Sequence, residues 1–314
     1  MLVSHRRHAP LGPPSRLCIE LDRVLAPSWI ARRVRLSGAV QDEHMTTQLG
    51  KGTQAERARL KIVLVGRLEA TVGGRTFELR AGDFLVMPRI AECLTCGGDD
   101  ETLELDWDPE APIAGAAVTT LEHGTLRPRA LKAAKSIARA LHDDVDPSSC
   151  GVLDALSRDL PAALRVLASD GLPLDPAGAE HELPPRAPHE LRRGASRGDQ
   201  RLFDAIDATL ANLDDGPAVV GLEEKLGWSR RTVSRRTSEL HQRYGLSGID
   251  GESWRTVRDF YRLLVGTILA SNPDVTTRGL AVILGYASPD ALCHAFANAG
   301  LPSPGAIRKL PRVA

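Results

Sequence analysis

Aromatic residues are scarce, at 4% of 314 residues, and cysteine is limited to five scattered positions. An odd, dispersed set of thiols with no secretory segment gives no disulfide framework and points to a reducing cytoplasm. Net charge is also missing: 40 basic residues balance 40 acidic ones. No overall field therefore draws the chain onto nucleic acid or a membrane, and any such attraction must come from local placement. No apolar run approaches the roughly twenty residues that cross a bilayer, so no membrane partner is expected. The opening MLVSHRRHAPLGPPSR has charge but no apolar centre and does not read as a signal peptide. Catalytic fingerprints are absent too: no GxSxG, no Walker loop and no dinucleotide glycine pattern occur. His44 is the single histidine between Gln41 and Trp107, too little for a three- or four-ligand metal site. No catalytic residue, metal ligand or cofactor is expected.

What is present is a repeated pattern near the C-terminus. Leu280, Ala281 and Leu284 recur at helical spacing until Gly285 interrupts them. Ser288 then opens a second run, with Pro289 at its first position, Asp290 in its first turn, and Leu292 and Phe296 four apart. Two helices hinged at a glycine describe a helix-turn-helix, whose second helix can enter a DNA major groove. Upstream, Leu222 and Leu226 precede Gly227, after which Ser229 starts RRTVSRRTSELHQRYG. Between the two units, residues 253–271 carry Trp254, Val257, Phe260, Tyr261, Leu264 and Ile268 at three- and four-residue steps, as one connecting helix would. From Lys225 to Arg262 nine Lys or Arg stand against four acids, a local excess suited to a phosphate-binding face.

With Arg262-Leu263, Gly266, Leu269, Leu280-Ala281, Leu284-Gly285-Tyr286, Ser288, Leu292, Phe296, Gly300, Pro304 and Arg308, the last third of the chain resembles the DNA-binding domain of AraC/XylS transcription regulators. That resemblance implies two recognition helices, promoter-region double-stranded DNA as a partner, a ligand-responsive N-terminal domain, and a homodimer that can contact RNA polymerase, with activation the commoner outcome. Departures are Glu223 in place of a small residue, Thr237 in place of a large apolar one, His294 in place of arginine, and one extra residue between Gly300 and Pro304.

Helical spacing puts Val233, Thr237 and Leu240 inward, leaving Arg231, Ser234, Arg235 and Ser238 outward with Arg230 at the edge. Guanidinium groups can bond guanine or phosphate, so Arg230, Arg231 and Arg235 are the foremost expected contacts. The second helix offers Ser288, Asp290, Ala291, Cys293 and His294, which carry little positive charge and suit base reading more than affinity.

Elsewhere the expected fold is α+β. Residues 1–15, polar and proline-rich, are expected to be a disordered tail, and residues 16–118 a small antiparallel β-barrel. Gly73-Gly74 is a two-residue hairpin signal, and TLELDW (102–107) reads as a closing strand. Through Gly66, Gly82-Asp83 and Pro88 this segment resembles the cupin-like barrel of the same regulators, which implies an effector site of unknown ligand. Cys93 and Cys96 form a CxxC pair on a strand-like run, read as packing or unpaired thiols before a redox couple. Residues 119–170 carry two apolar helical stripes, Leu131 to Leu141 and Leu153 to Leu167, fit for core or for dimerisation. Residues 171–197, with five prolines, read as a linker, and residues 198–314 as the double helix-turn-helix domain. Two rival readings stay open: a cupin-type enzyme with a DNA-binding tail, and an architectural DNA binder without an effector.

Overall fold

The computed structural model describes residues 2–8, 18–26, 29–37, 40–42, 57–88, 93–107, 121–142, 195–216, 218–244 and 253–309. The leucine stripe at 153–167, nearly all of the 171–197 linker and the connector after Trp107 lie outside them.

The fold is α+β. Among the described residues, eleven strands form two antiparallel sheets: β1 (Leu2–His8), β2 (Cys18–Leu25), β3 (Trp29–Ser37), β4 (Val40–Asp42), β5 (Ala58–Val65), β6 (Arg67–Val72), β7 (Arg75–Arg80), β8 (Asp83–Met87), β9 (Cys93–Gly98), β10 (Glu101–Trp107) and β11 (Glu122–Thr125). The larger sheet runs β1-β2-β3-β10-β5-β8-β11 and the smaller β4-β9-β6-β7. Gly73 and Gly74, both at positive φ (55° and 77°), turn β6 into β7 as the sequence predicts. Cys93 and Cys96 both lie on β9.

Two expectations fail here. The tail expected at residues 1–15 is a strand from Leu2 to His8, paired along its length with β2. TLELDW does not close the sheet but lies at its centre, between β3 and β10's other neighbour β5. Both errors have one cause. Polar residues suggest contact with solvent, whereas the polar face here is buried and ion-paired. Register places Ser4, Arg23, Arg32, Glu104 and Lys61 in one row across β1, β2, β3, β10 and β5. Lys61 Nζ lies 3.0 Å from Glu104, Arg59 Nε lies 2.6 Å from Asp106, and Arg32 bonds Asp106. Burial alone would push the Glu104 carboxyl up, but Arg59, Lys61 and Arg32 hold it well below the usual carboxylate range.

The opposite face of the large sheet is apolar. Ala31, Leu60, Ile62, Leu103 and Leu105 receive Ala130, Ala134, Ile137, Ala138 and Leu141 of helix α1 (Pro128–His142). The first of the two expected stripes is thus core, covered by its own sheet. A separate cluster, including Val63, Leu68, Leu79, Leu85 and Met87, fills the space between the sheets.

The C-terminal part is helical: α2 (Arg197–Ala211), a 3-10 turn (Leu213–Asp215), α3 (Val219–Leu226), α4 (Arg230–Tyr244), α5 (Trp254–Ala270), α6 (Thr277–Ile283), α7 (Pro289–Asn298) and α8 (Pro304–Ile307). None of the described helices is long and apolar enough to cross a membrane. Leu2, Ile19, Leu25, Ile30 and Leu36, from the β1–β3 end of the large sheet, join the same apolar cluster as Phe203, Ile206, Leu210 and Tyr261. The two parts also meet through charge. Asp207 of α2 accepts from Ser4 Oγ and Arg6 Nε, each at 2.6 Å, and lies 3.7 Å from Arg23. Arg6 stacks over the Tyr261 ring, 4.5 Å from its centroid, and His8 Nε2 is 2.8 Å from the Tyr261 hydroxyl. Burial, reinforced by neighbouring guanidinium groups, lowers His8 and His241 to about 4, so both imidazoles are neutral at pH 7.

Candidate nucleic-acid interface

Two helix-turn-helix units stand at the helical end, and each is built by local rules. In the first, α3 stops at Gly227, whose left-handed backbone (φ 65°) directs its N–H to the Glu223 carbonyl at 2.8 Å. Ser229 then opens α4, its Oγ lying 3.4 Å from the Thr232 amide. In the second, α6 gives way to Gly285 (φ 66°), and the Tyr286 N–H bonds the Ala281 carbonyl at 2.8 Å. Ser288 caps α7 by accepting from the Ala291 N–H at 3.1 Å, with Pro289 in the first turn.

The inward residues match the pattern. Val233, Thr237 and Leu240 of α4 are buried, as are Leu292 and Phe296 of α7. Counting from the caps Ser229 and Ser288, Thr237 occupies the position that Phe296 fills in the second unit. Its hydroxyl is fully buried and has no hydrogen-bond partner among the described residues. A buried hydroxyl without a partner is destabilising, so Thr237→Val, which keeps the shape, should stabilise the chain by about 1 kcal/mol in urea unfolding. A loss of stability instead would mean that the hydroxyl is bonded.

Arg230, Arg231 and Arg235 are exposed on α4, while Ser234 and Ser238 beside them are half-buried. On α7, Asp290 and His294 are exposed, and Ser288, Ala291 and Cys293 are half-buried, with Cys293 a free thiol. The cap commits a lone pair of the Ser288 oxygen, leaving its O–H to donate. By the same count from the caps, Arg231 corresponds to Asp290 and Arg235 to His294, so the first unit carries arginine at both positions where the second carries an acid and an imidazole.

The basic excess is less available than the sequence suggests. Arg243 pairs with Asp199 at 2.6 Å, and Arg255 and Arg258 flank Asp259. Arg235 and Arg236 share Glu239, at 2.6 and 3.5 Å. Arg262, counted on the basic face, is buried and turned inward. Its Nε donates to the Leu284 carbonyl at 2.5 Å, a second nitrogen donates to Gly285, and the guanidinium lies 3.9 Å from the Tyr286 ring centroid. Arg230 and Arg231 have no ion-pair partner among the described residues.

Arg262 is one of two devices that fix the second unit to α5. The other is Gly266, where an added Cβ would stand 2.9 Å from Leu284 and 3.1 Å from Phe296. Close approach of α5 to the second unit requires a residue with no side chain there. Sequence spacing could have identified Glu239, four residues after Arg235, as a partner. No local signal marks Arg262 as an internal tie or Asp207 as the anchor for β1, because their partners are distant in sequence.

Fold and interface together define a class: a two-sheet β domain seated on a head of paired helix-turn-helix units. The sequence matches no protein-family model and no curated protein. Among solved structures, the chain is similar to apo ToxT from Vibrio cholerae at a TM-score of 0.34 and 8% identity, over 90% of this chain and 98% of that one. It is also similar to CuxR, described as an AraC-like transcriptional activator, at 0.33 and 15% identity, over 80% and 90%. It is further similar to KdgF from a Halomonas species at 0.21 and 20% identity, over 32% of this chain and 87% of that one.

Proposed function

We propose that the chain is a sequence-specific DNA-binding transcription regulator of the AraC/XylS kind, with α4 and α7 as its recognition helices. The observation that carries this reading is the pairing of two capped helix-turn-helix units on one stiff helix, with Arg230, Arg231 and Arg235 exposed on the first. At 17 residues α5 is about 25 Å long, a suitable spacer for helices that enter successive major grooves about 34 Å apart on one face of the duplex. Sequence-specific base reading falls to Arg231, Ser234, Arg235 and Ser238 in one groove. Ser288, Asp290, Ala291, Cys293 and His294 read the other.

In this reading the first unit supplies most of the affinity and the second tunes specificity. The β domain acts as sensor of a small molecule. Its buried charge row ends at Arg23, next to Asp207 of the reading head, which supports a sensor whose occupancy shifts the arrangement of the two helix-turn-helix units. A homodimer on repeated sites, contact with RNA polymerase and a cytoplasmic location complete the proposal. No chemistry is assigned to the β domain.

The test is footprinting of the full chain over its own gene neighbourhood, followed by salt titration on the protected duplex. Arg231→Ala and Arg235→Ala should each weaken binding about 5- to 100-fold. Arg231→Ala should also flatten the salt slope by about one unit where a phosphate contact is lost. His294→Ala should weaken it less. Equal affinity for protected and random duplexes would replace regulator with architectural binder, and a larger loss for His294→Ala than for Arg235→Ala would reverse the ranking of the units.

A further inference from the structure

Glu239 is the one acid on the outward part of α4, and it sits among the residues assigned to base reading. One carboxylate oxygen is 2.6 Å from Arg235 Nη1 and the other 3.5 Å from Arg236 Nη1. All three side chains are substantially exposed, at 57%, 48% and 41% for Arg235, Arg236 and Glu239. A single carboxylate thus spans two guanidinium groups that leave the helix about 100° apart. We infer that Glu239 is a positioning residue for sequence discrimination: it neutralises Arg235 and Arg236 toward phosphate while holding Arg235 for a base edge. This rests on the DNA-reading role proposed above.

The two kinds of DNA contact respond differently to a neighbouring carboxylate. Attraction to phosphate follows net charge and accounts for essentially all binding to random sequence. A bond to guanine follows donor geometry, since O6 and N7 are neutral acceptors. With Nη1 turned to Glu239, the Nε and Nη2 donors of Arg235 remain free as a parallel pair, the arrangement that matches those two acceptors. An exposed pair four residues apart changes an equilibrium only about twofold. A well-made bidentate guanine contact changes it about 5- to 150-fold. The carboxylate therefore competes effectively with a random phosphate and poorly with the right base. Arg230 and Arg231, with no acid partner among the described residues, remain to supply general attraction.

The experiment compares the full-length chain with Glu239→Gln on the footprinted duplex and on a random duplex, each across a salt series. Glutamine keeps the shape and an acceptor oxygen but removes the charge. Affinity for random duplex should rise about three- to fivefold with a slope steeper by about one unit, while affinity for the footprinted site rises less than twofold. Two controls isolate the clamp. Glu224→Gln removes the same charge from the exposed surface of α3 and should leave the ratio of the two affinities unchanged. In an Arg235→Ala/Arg236→Ala background, Glu239→Gln should have little further effect on random duplex. An unchanged ratio in Glu239→Gln, or an equal change in Glu224→Gln, overturns the inference while leaving the regulator reading intact. A wild-type chain that does not distinguish the two duplexes overturns the regulator reading itself.

Discussion

Asp207→Ala should destabilise the full chain by about 3–5 kcal/mol in equilibrium unfolding. Its carboxylate is the acceptor for Ser4 and Arg6 and the nearest acid to Arg23 across the contact between sheet and helices. Arg23 and Arg32 are directly opposed on β2 and β3, an arrangement of like charges that is unfavourable unless each has an acid on its far side. Arg32 has Glu104 and Asp106, whereas Arg23 has Asp207. Burial and neighbouring Arg6 already lower the Arg23 guanidinium to about 10, so its charged form is less favoured than in water, though it still predominates at pH 7. Burial pushes the Asp207 carboxyl up, but Arg6 and Arg23 outweigh it and hold the group below its ordinary range. Removing it takes away the α2 carboxylate with which the Arg6 and Arg23 guanidinium groups pair. Arg6→Ala should cost less, because Arg23 keeps its partner, and the double variant should cost clearly less than the sum of the singles. A loss below about 1 kcal/mol for Asp207→Ala would show that this contact does not hold the two parts together.

This anchor was not visible in the sequence, although most of the paired helix-turn-helix units was. Gly227 and Gly285, the serines at 229 and 288, and the buried positions Leu222, Leu226, Leu280, Leu284, Leu292 and Phe296 all follow from spacing and capping within one turn or two. The Gly73-Gly74 hairpin is equally local. What failed needed register. Ser4, Arg6 and His8 look like a polar tail until β2 pairs with them and brings them against Asp207 and Tyr261. Glu104 and Asp106 look solvated until β3 and β5 set Arg32, Arg59 and Lys61 beside them. In the connecting helix the expected stripe was too narrow. Leu263, Val265, Gly266, Leu269 and Ala270 are buried as well, because α5 is covered on several sides, while Phe260 and Leu264 are only half-buried. At the interface, exposure of Arg230, Arg231 and Arg235 follows from helical period alone. Which of them are held by acids depends on Glu239, four residues on and therefore legible, and for Arg243 on Asp199, which is not. Arg262 shows the limit of counting charge. It contributes to a basic total in the sequence, yet in the fold it fastens a turn.

That turn gives the second large effect. Gly227 and Gly285 have nearly the same backbone, at φ 65° and 66°, and end the first helix of their respective units. Alanine in the left-handed region costs about 1–2 kcal/mol at either site. Their surroundings differ. A Cβ at Gly227 would meet nothing within 4 Å, whereas one at Gly285 would stand 2.1 Å from the Leu213 carbonyl oxygen and 3.1 Å from the Gly216 amide nitrogen. Those are backbone atoms of the 3-10 turn after α2, so no side chain can rotate away and the chain itself must shift. Overpacking of this kind adds about 1–3 kcal/mol or more. Gly285→Ala should therefore lose about 2–5 kcal/mol in urea unfolding against about 1–2 for Gly227→Ala, with the difference reporting contact rather than backbone strain. The displacement also reaches the Gly285 carbonyl that Arg262 bonds, loosening the tie between α5 and α7. On DNA, Gly285→Ala should consequently shorten the footprint to the half covered by α4, while Gly227→Ala should leave both halves protected. Equal losses for the two variants, with both footprints complete, would mean that the 3-10 turn yields freely and does not brace the second unit.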